Sequence, residues 1–413
     1  MKIVQINTFP YKATGTIMLN LHNILLQNGH DSYVAWGRGR NANDDREIVI
    51  KDDIGVKIHG LYTRLTDRTG FASIRATKKL IWYLDKIKPD IIHLHNVHGY
   101  YINIELLFKY IKDKKIKVVW TLHDCWAMTG HCAWFDMAAC NKWKTGCSKC
   151  TQLRAYPASS LIDGSQFNWN KKRELFTGLN CTIVTPCKWL SQIVKQSYLN
   201  KYPCKVIYNG IDLEIFKPSS VEQAASTIKK YELTDKPIVL GGASEWTERK
   251  GLNDIIKISE KLCGKYQFVV VGLTKKQLES IPKTITGITR TNNITELVNL
   301  YSVATLFFNP TYEDNFPTTN IEALACGTPV LTYDTGGSPE AIQMAKQHTN
   351  IFVGNVVSKA SPNTVDLSTV SKVLTDSVEH TIVHRSKVRE ACRKVSMEFD
   401  KEKRLGEYLN LYF

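Results

Sequence analysis

The stretch Asn309-Pro310-Thr311-Tyr312-Glu313-Asp314-Asn315-Phe316-Pro317-Thr318-Thr319-Asn320-Ile321-Glu322-Ala323-Leu324-Ala325-Cys326-Gly327-Thr328-Pro329 decides how the chain is read. It follows an apolar run, Thr305–Asn309, and precedes another, Pro329–Tyr333. The pattern predicts strand, loop, short helix, stop. Asp314 or Asn315 is placed to cap the helix, and Pro317 suits its first position, where a missing N–H costs nothing. Gly327 follows the last helical residue, where a left-handed conformation commonly ends a helix.

A helix beginning near Thr318 and Thr319 turns free backbone amides toward whatever lies beyond the strand, which makes an anion site. Asp314 precedes that helix and Glu322 lies eight residues on, about two turns inside. Asn315, Phe316 and Pro317 complete the candidate binding loop. Carboxylates for hydroxyls beside amides for phosphates suit a sugar nucleotide. A second segment, Gly241-Gly242-Ala243-Ser244-Glu245-Trp246-Thr247-Glu248-Arg249-Lys250-Gly251-Leu252, also leaves a strand and opens a helix. Open α/β sheets bind ligands at strand carboxyl ends, so Arg249 and Lys250 could neutralise a diphosphate there. Taken alone, the pair reads better as a surface charge pair on a helix start. His123 follows the apolar run Lys117–Leu122, and Thr14-Gly15 follows the candidate first strand Lys2–Asn7. These are a candidate sugar contact and a candidate close-approach loop.

Outward from these segments the same alternation recurs. Strand candidates are Ser32–Ala35, Asp90–His95, Thr182–Thr185 and Lys205–Tyr208 in the first half. Pro237–Gly241, Gln267–Val271 and Ile351–Val353 join the two runs already named in the second. Several are apolar on both faces, as parallel strands covered by helices should be. The expected fold class is α/β, with two Rossmann-like doubly wound domains facing a cleft. Lys217-Pro218-Ser219-Ser220 reads as the linker. The boundaries expected are 1–216, with an insert at 123–157, then 217–395, then a terminal helix over 396–413. The ending Tyr408-Leu409-Asn410-Leu411-Tyr412-Phe413 is too apolar for a free tail and should pack back on the first domain.

The whole chain has 413 residues and a formal net charge of +15. Residues 1–210 hold 30 Lys and Arg against 15 Asp and Glu, whereas residues 211–413 hold 24 of each. The excess sits entirely in the first half and suggests an anionic partner: a phosphorylated substrate, an acidic membrane or a nucleic acid. A merely solubilising surface is the plainer alternative. No run approaches the roughly 18 apolar residues of a membrane helix, and Gln5 and Asn7 interrupt the N-terminal run too early for a signal peptide. A cytoplasmic protein is expected, its 11 cysteines reduced or metal-bound.

Together these pieces resemble the family 4 glycosyltransferases of the GT-B fold. The resemblance also takes in Pro186-Cys187-Lys188-Trp189-Leu190, Asn209-Gly210-Ile211-Asp212 and Gly336-Gly337-Ser338-Pro339-Glu340. The insert running from His123-Asp124-Cys125-Trp126 to Gly146-Cys147-Ser148-Lys149-Cys150 looks like a subgroup seen in bacterial polysaccharide gene clusters. Three positions depart from the family pattern: Asp314 replaces a glutamate, Pro317 a glycine, and Ser244 an arginine. The resemblance implies a retaining hexosyl transfer from a UDP- or GDP-sugar to a saccharide or lipid-linked saccharide in cell-surface (exo)polysaccharide synthesis. The implied location is cytoplasmic, peripheral at the inner face of the membrane. His123, Arg249, Lys250, Asp314 and Glu322 would be catalytic. Thr14, Gly15, Ser244, Asn315, Phe316, Pro317, Thr318 and Thr319 would line the substrate. No Asp-x-Asp pair occurs, so this scheme requires no cofactor on the diphosphate. The alternatives are a nucleotide-sugar epimerase or hydrolase on the same fold, or a basic nucleic-acid-binding protein with a zinc knuckle. No nucleic-acid motif is present, so no nucleic-acid partner is expected.

Five cysteines, Cys125, Cys132, Cys140, Cys147 and Cys150, fall within 26 residues. Cys147 and Cys150 have zinc-knuckle spacing, and Cys132 and Cys140 could complete four thiolates around a structural zinc. Reduced packing cysteines and disulfides remain open at this point.

Overall fold

The computed structural model describes residues 1–348 and 351–413. The chain divides into two compact units, Met1–Tyr208 with Leu405–Phe413, and Asn209–Arg404. The first boundary falls before the linker expected at 217, and the chain returns to the first unit at Leu405 rather than near 396. The reason is local pairing. Ile211 N–H donates to Phe399 O (2.9 Å), and Lys401 N–H donates to Ile211 O (2.9 Å). This bridge fastens Asn209-Gly210-Ile211-Asp212 and Lys401 to the same unit.

The first unit holds β1 (Lys2–Asn7), β2 (Asp31–Trp36), β3 (Glu47–Val49), β4 (Ile91–Leu94), β5 (Lys117–Thr121), β6 (Cys181–Thr185) and β7 (Cys204–Val206). They form a parallel sheet in the order β3-β2-β1-β4-β5-β6-β7. The second holds β8 (Ile238–Gly242), β9 (Gln267–Val271), β10 (Ile285–Ile288), β11 (Leu306–Asn309), β12 (Val330–Tyr333) and β13 (Gly354–Val357), in the order β10-β9-β8-β11-β12-β13. Both orders reverse direction once, between β1 and β4 and between β8 and β11. The crevice at such a reversal, beyond the strand carboxyl ends, is where doubly wound sheets take ligands.

β4 and β5 are buried almost throughout, as strands with helices on both faces must be. Ile3, Leu21, Leu25, Ile91, Val119, Val184 and Ile207 form a core that Leu405, Tyr408 and Tyr412 complete. Burying one such side chain contributes roughly 1.5–3 kcal/mol, which is why the apolar ending of the chain does not hang free. Lys117 Nζ also donates to the last carbonyls of that segment, Leu411 O (3.3 Å) and Tyr412 O (3.2 Å). The strand expected at Ile351–Val353 begins instead at Gly354, and β3 and β10 were not expected at all.

His59 is fully buried. Its Nε2 accepts the Gly70 N–H (3.0 Å), so its proton sits on Nδ1 toward Ser73 Oγ (2.8 Å). Burial pushes its pKa down to about 4, against a weaker opposing contact with the Tyr100 backbone. The unfolded chain therefore binds a proton that the folded one refuses between about pH 6.5 and 4, and stability falls as pH drops through that window. The loss for one such histidine is on the order of 3 kcal/mol. Urea unfolding at pH 7 and pH 4.5 should show a lower midpoint in acid, with a smaller drop in His59→Gln. Equal drops in both proteins would contradict this assignment.

Candidate functional site

The second unit gathers its candidates at the β8/β11 reversal. β8 runs into a loop carrying Ser244, which is exposed, and then a 3-10 turn over Glu248–Lys250. Gly251 follows at φ +73°, and a Cβ there would lie 2.1 Å from Pro310 O. The glycine thus lets the turn after β8 press against the loop after β11. Arg249 Nη1 donates to Glu313 O (2.7 Å), and the Tyr312 N–H donates to Arg249 O (2.7 Å). Lys250 Nζ forms an ion pair with Asp314 Oδ2. The sequence reading gave Lys250 to a diphosphate and Asp314 to a sugar. In the ligand-free chain they neutralise each other, with 19% and 16% of their side chains exposed. Arg249 is not a free cation either, since its guanidinium holds the loop backbone.

The helix spans Thr318–Ala325, with Pro317 in the cap position and no side-chain cap. Asp314 and Asn315 therefore do not cap it, and Pro317 stands one residue earlier than expected. The amides of Thr318 and Thr319 lie in the first turn, where backbone donors lack intrahelical acceptors. Phe316 and Asn315 are 5% and 3% exposed, and the Phe316 ring packs on Phe399 at 5.6 Å. Phe316 thus packs into the unit's core. Glu313 is also buried, which leaves Asp314 as the loop's accessible carboxylate.

Glu322 lies about one turn inside the helix, not the two expected, and its Oε2 accepts from Tyr301 O–H (3.1 Å). Burial raises its pKa, partly offset by hydrogen bonds from Thr318 and Tyr301. Tyr301 carries no sequence signal, because it reads as one more apolar position of the helix Ile294–Val303. Asp254 was missed likewise. Its Oδ2 accepts from Tyr312 O–H (2.7 Å) and Tyr333 O–H (2.8 Å), tying the β11 loop and β12 to one buried carboxylate.

In the first unit, Thr14 and Gly15 lie within the helix Lys12–Gln27, not in a loop before it. A Cβ at Gly15 would sit 2.6 Å from Phe9 O, so close packing of helix on chain already requires this glycine. Thr14 Oγ1 accepts from Asn7 Nδ2 (3.2 Å). His123 follows β5. Its Nε2 stands 3.1 Å from His95 Nδ1, and His95 Nε2 stands 3.3 Å from Gln5 Oε1. Burial pushes His123 down to about 4 and His95 well below its ordinary value. With Gln5 accepting from His95, His95 Nδ1 accepts from His123 Nε2–H. His98 joins the same end: Nε2 meets Asp124 Oδ2 (2.8 Å) and Nδ1 meets Tyr156 O–H (3.1 Å). Burial works to raise Asp124, but His98 and the Trp126 amide outweigh it and hold the carboxyl low. The run His93-Leu94-His95-Asn96-Val97-His98 was the available signal for this group.

Cys132, Cys140, Cys147 and Cys150 border one cavity of about 20 Å³. Among the described residues all the insert's cysteines are free, and no three His, Cys, Asp or Glu side chains stand ready as a metal cage.

A family model described as "Glycosyltransferase Family 4" matches residues 14–215, and one described as "Glycosyl transferases group 1" matches residues 223–365. WcaC of Escherichia coli (strain K12), named as a colanic acid biosynthesis glycosyl transferase, is 26% identical over 83% of this chain and 85% of its own. Among solved structures, WaaG, described as a glycosyltransferase involved in lipopolysaccharide biosynthesis, has a TM-score of 0.66 at 14% identity, covering 99% of each chain. HepE of Anabaena, solved with UDP-glucose, has a TM-score of 0.63 at 14% identity, covering 99% of each chain. Together the two matched models span most of the chain, one in each unit, and on that footing the chain belongs to the family 4 glycosyltransferases with the GT-B fold.

Proposed function

We propose that this glycosyltransferase moves a sugar, with retention at the anomeric carbon, from a nucleotide-sugar donor to a saccharide or lipid-linked saccharide in cell-surface polysaccharide synthesis. The observation that carries the reading is the convergence of Lys250, Asp314, the Thr318 and Thr319 amides and Glu322 at the β8/β11 reversal. Such a group matches the parts of a sugar nucleotide in order. Glu322 accepts from ribose hydroxyls, the amides and Lys250 meet the diphosphate, and Asp314 accepts from the sugar. Negative charge builds on the departing diphosphate, so its stabilisation is the main catalytic task. His123, kept neutral near pH 7 by burial, belongs to the acceptor side of the reaction. The UDP-glucose bound to HepE favours a nucleotide-sugar donor, and the name of WcaC favours a polysaccharide pathway; the donor itself is taken to be a UDP- or GDP-sugar.

The 30-to-15 charge excess of the first 210 residues supports a lipid-linked acceptor at an anionic, cytoplasm-facing membrane. Among the described residues no helix is long and apolar enough to cross a membrane. A panel of UDP-, GDP- and ADP-sugars tests the donor. One nucleoside diphosphate should raise the melting temperature, by about 2.7 kcal/mol of stability at a hundredfold excess over Kd, and its sugar should be slowly hydrolysed. Conversion of the donor to an isomer without acceptor, or no response to any nucleotide, would overturn the reading. Sedimentation with anionic vesicles, lost at high salt, is the matching check on the acceptor side.

A further inference from the structure

The sequence left three readings of the insert open, and the structure separates them. All five cysteines are unpaired in the structure. Plain packing cysteines would scatter through the insert's apolar interior. Cys125 does behave so, buried at 1% exposure and away from the cavity. The other four instead face the same space of about 20 Å³, close to that of one small occupant. Lys149, inside the Cys147–Cys150 turn, is left-handed at φ +47°, which bends the backbone so that both cysteines border that space. Lys142 Nζ clasps the turn through Ser148 O (2.9 Å) and Lys149 O (2.8 Å).

Two further features suit sulfur ligands at this cavity, against burial, which by itself raises the Cys132, Cys147 and Cys150 thiols. The Gly130 N–H donates to Cys147 Sγ at 3.2 Å, and the Gln152 backbone donates to Cys150. Neutral thiols are weak acceptors, whereas thiolates are strong ones. A Cβ at Gly130 would lie 2.1 Å from Ser165 O and 2.7 Å from Cys147 Cβ, so this approach of amide to sulfur requires glycine. The second feature is Lys172, only 1% exposed. Its ammonium donates to Trp126 O (2.9 Å) and Thr129 O (3.1 Å) and lies 3.3 Å from the Trp126 ring centroid. Among the described residues no carboxylate forms an ion pair with it. Burial pushes the Lys172 pKa down to about 7, with Cys147 and Asp67 nearby opposing the shift, so an anionic centre beside it would hold its charge.

We propose that Cys132, Cys140, Cys147 and Cys150 hold one structural zinc ion as four thiolates, with the buried ammonium of Lys172 offsetting the charge of the centre. Binding converts four thiols and an aqueous zinc ion into a tetrathiolate centre of charge −2 and releases four protons to solvent. Nothing is oxidised or reduced. The thiols must turn onto the ion, since no finished cage stands there without it. Four protein ligands close the coordination sphere and leave no position for substrate. The centre therefore braces the insert. Trp143 Nε1 bonds Cys140 O (3.0 Å), Trp169 Nε1 bonds Trp143 O (2.9 Å), and Lys172 reaches Trp126, the residue that follows Asp124 and Cys125.

The test is the metal content of full-length protein purified without chelator or added metal. One zinc per chain is expected, absent from Cys147→Ser/Cys150→Ser and retained in Cys263→Ser, whose cysteine is exposed outside the insert. Should the double variant fail to fold, the wild-type stoichiometry and cobalt exchange decide, because tetrahedral cobalt thiolate has intense visible absorption. Lys172→Met should release zinc to a chelator faster than wild type, and an unchanged rate removes the charge-offset role. Metal-free, folded protein whose four thiols all react with a thiol reagent would overturn the site. So would disulfides among them, or zinc that persists in a folded double variant.

Discussion

Glu322→Gln is expected to weaken nucleoside diphosphate binding by about 10- to 100-fold and, in the same protein, to raise the unfolding midpoint of the ligand-free chain at pH 7. The two effects have one cause. The Glu322 carboxyl is held above its ordinary pKa by burial, against hydrogen bonds from Thr318 and Tyr301. A carboxyl raised in the folded state binds its proton more tightly there than in the unfolded chain. As pH climbs from the unfolded value through the raised one, folding must carry an increasingly ionised buried group, and stability falls. Glutamine removes that cost and still accepts from Tyr301 through its amide oxygen. It cannot replace an anion that receives ribose hydroxyls, and hydrogen bonds to charged groups are worth about 1.5–3 kcal/mol. Titration calorimetry with the matching diphosphate and thermal melts at pH 7 give the two readings. Tighter or unchanged binding in Glu322→Gln would remove Glu322 from the nucleotide site. A lowered midpoint would instead make it a structural anchor for Tyr301.

The alternation that placed two doubly wound sheets was legible because β4, β5, β11 and β12 are apolar on both faces, a pattern that parallel sheets impose directly. β3 was not, since its three residues lie at a sheet edge and need little apolar content. β13 was misplaced because its sequence starts Gly354-Asn355, residues disfavoured in strands. Gly354 is there because a Cβ would meet Val330 O at 2.0 Å. Motif residues were found by spacing, but spacing gives no side-chain direction. Phe316 and Asp314 sit two apart, yet one fills the core and the other borders the open site. Gly15 shows the same gap: the glycine was visible and its neighbour, the Phe9 carbonyl, was not. The His95–His123 contact joins residues 28 apart through adjacent strands β4 and β5, which only the sheet order reveals.

Asp314→Ala should bind a nucleoside diphosphate about fivefold more tightly than wild type while transferring sugar more slowly, and Lys250→Ala should lose both binding and turnover. In the ligand-free chain the Lys250 ammonium is spent on Asp314. A diphosphate must displace that carboxylate or share the cation with it. A partly exposed pair of this kind is worth about 1 kcal/mol, which is the fivefold gain once Asp314 is gone. The gain is confined to the diphosphate. A nucleotide-sugar loses the Asp314 contact to its hexose, so its transfer rate falls although its leaving group is held more firmly. In the proposed reaction Lys250 faces the charge that grows as the glycosidic bond to the diphosphate breaks. Removing one such preorganised donor costs about 10²–10³ in kcat. The double variant distinguishes coupling from independent roles. If Lys250 is the group that Asp314 restrains, Asp314→Ala adds nothing to diphosphate affinity once Lys250 is alanine, and the cycle shows a coupling of about 1 kcal/mol. Additive effects on affinity would mean that Asp314 meets the diphosphate through another group. Arg249 is then the first to examine, because its guanidinium holds the neighbouring Glu313 carbonyl at 2.7 Å and would be released by movement of the same loop.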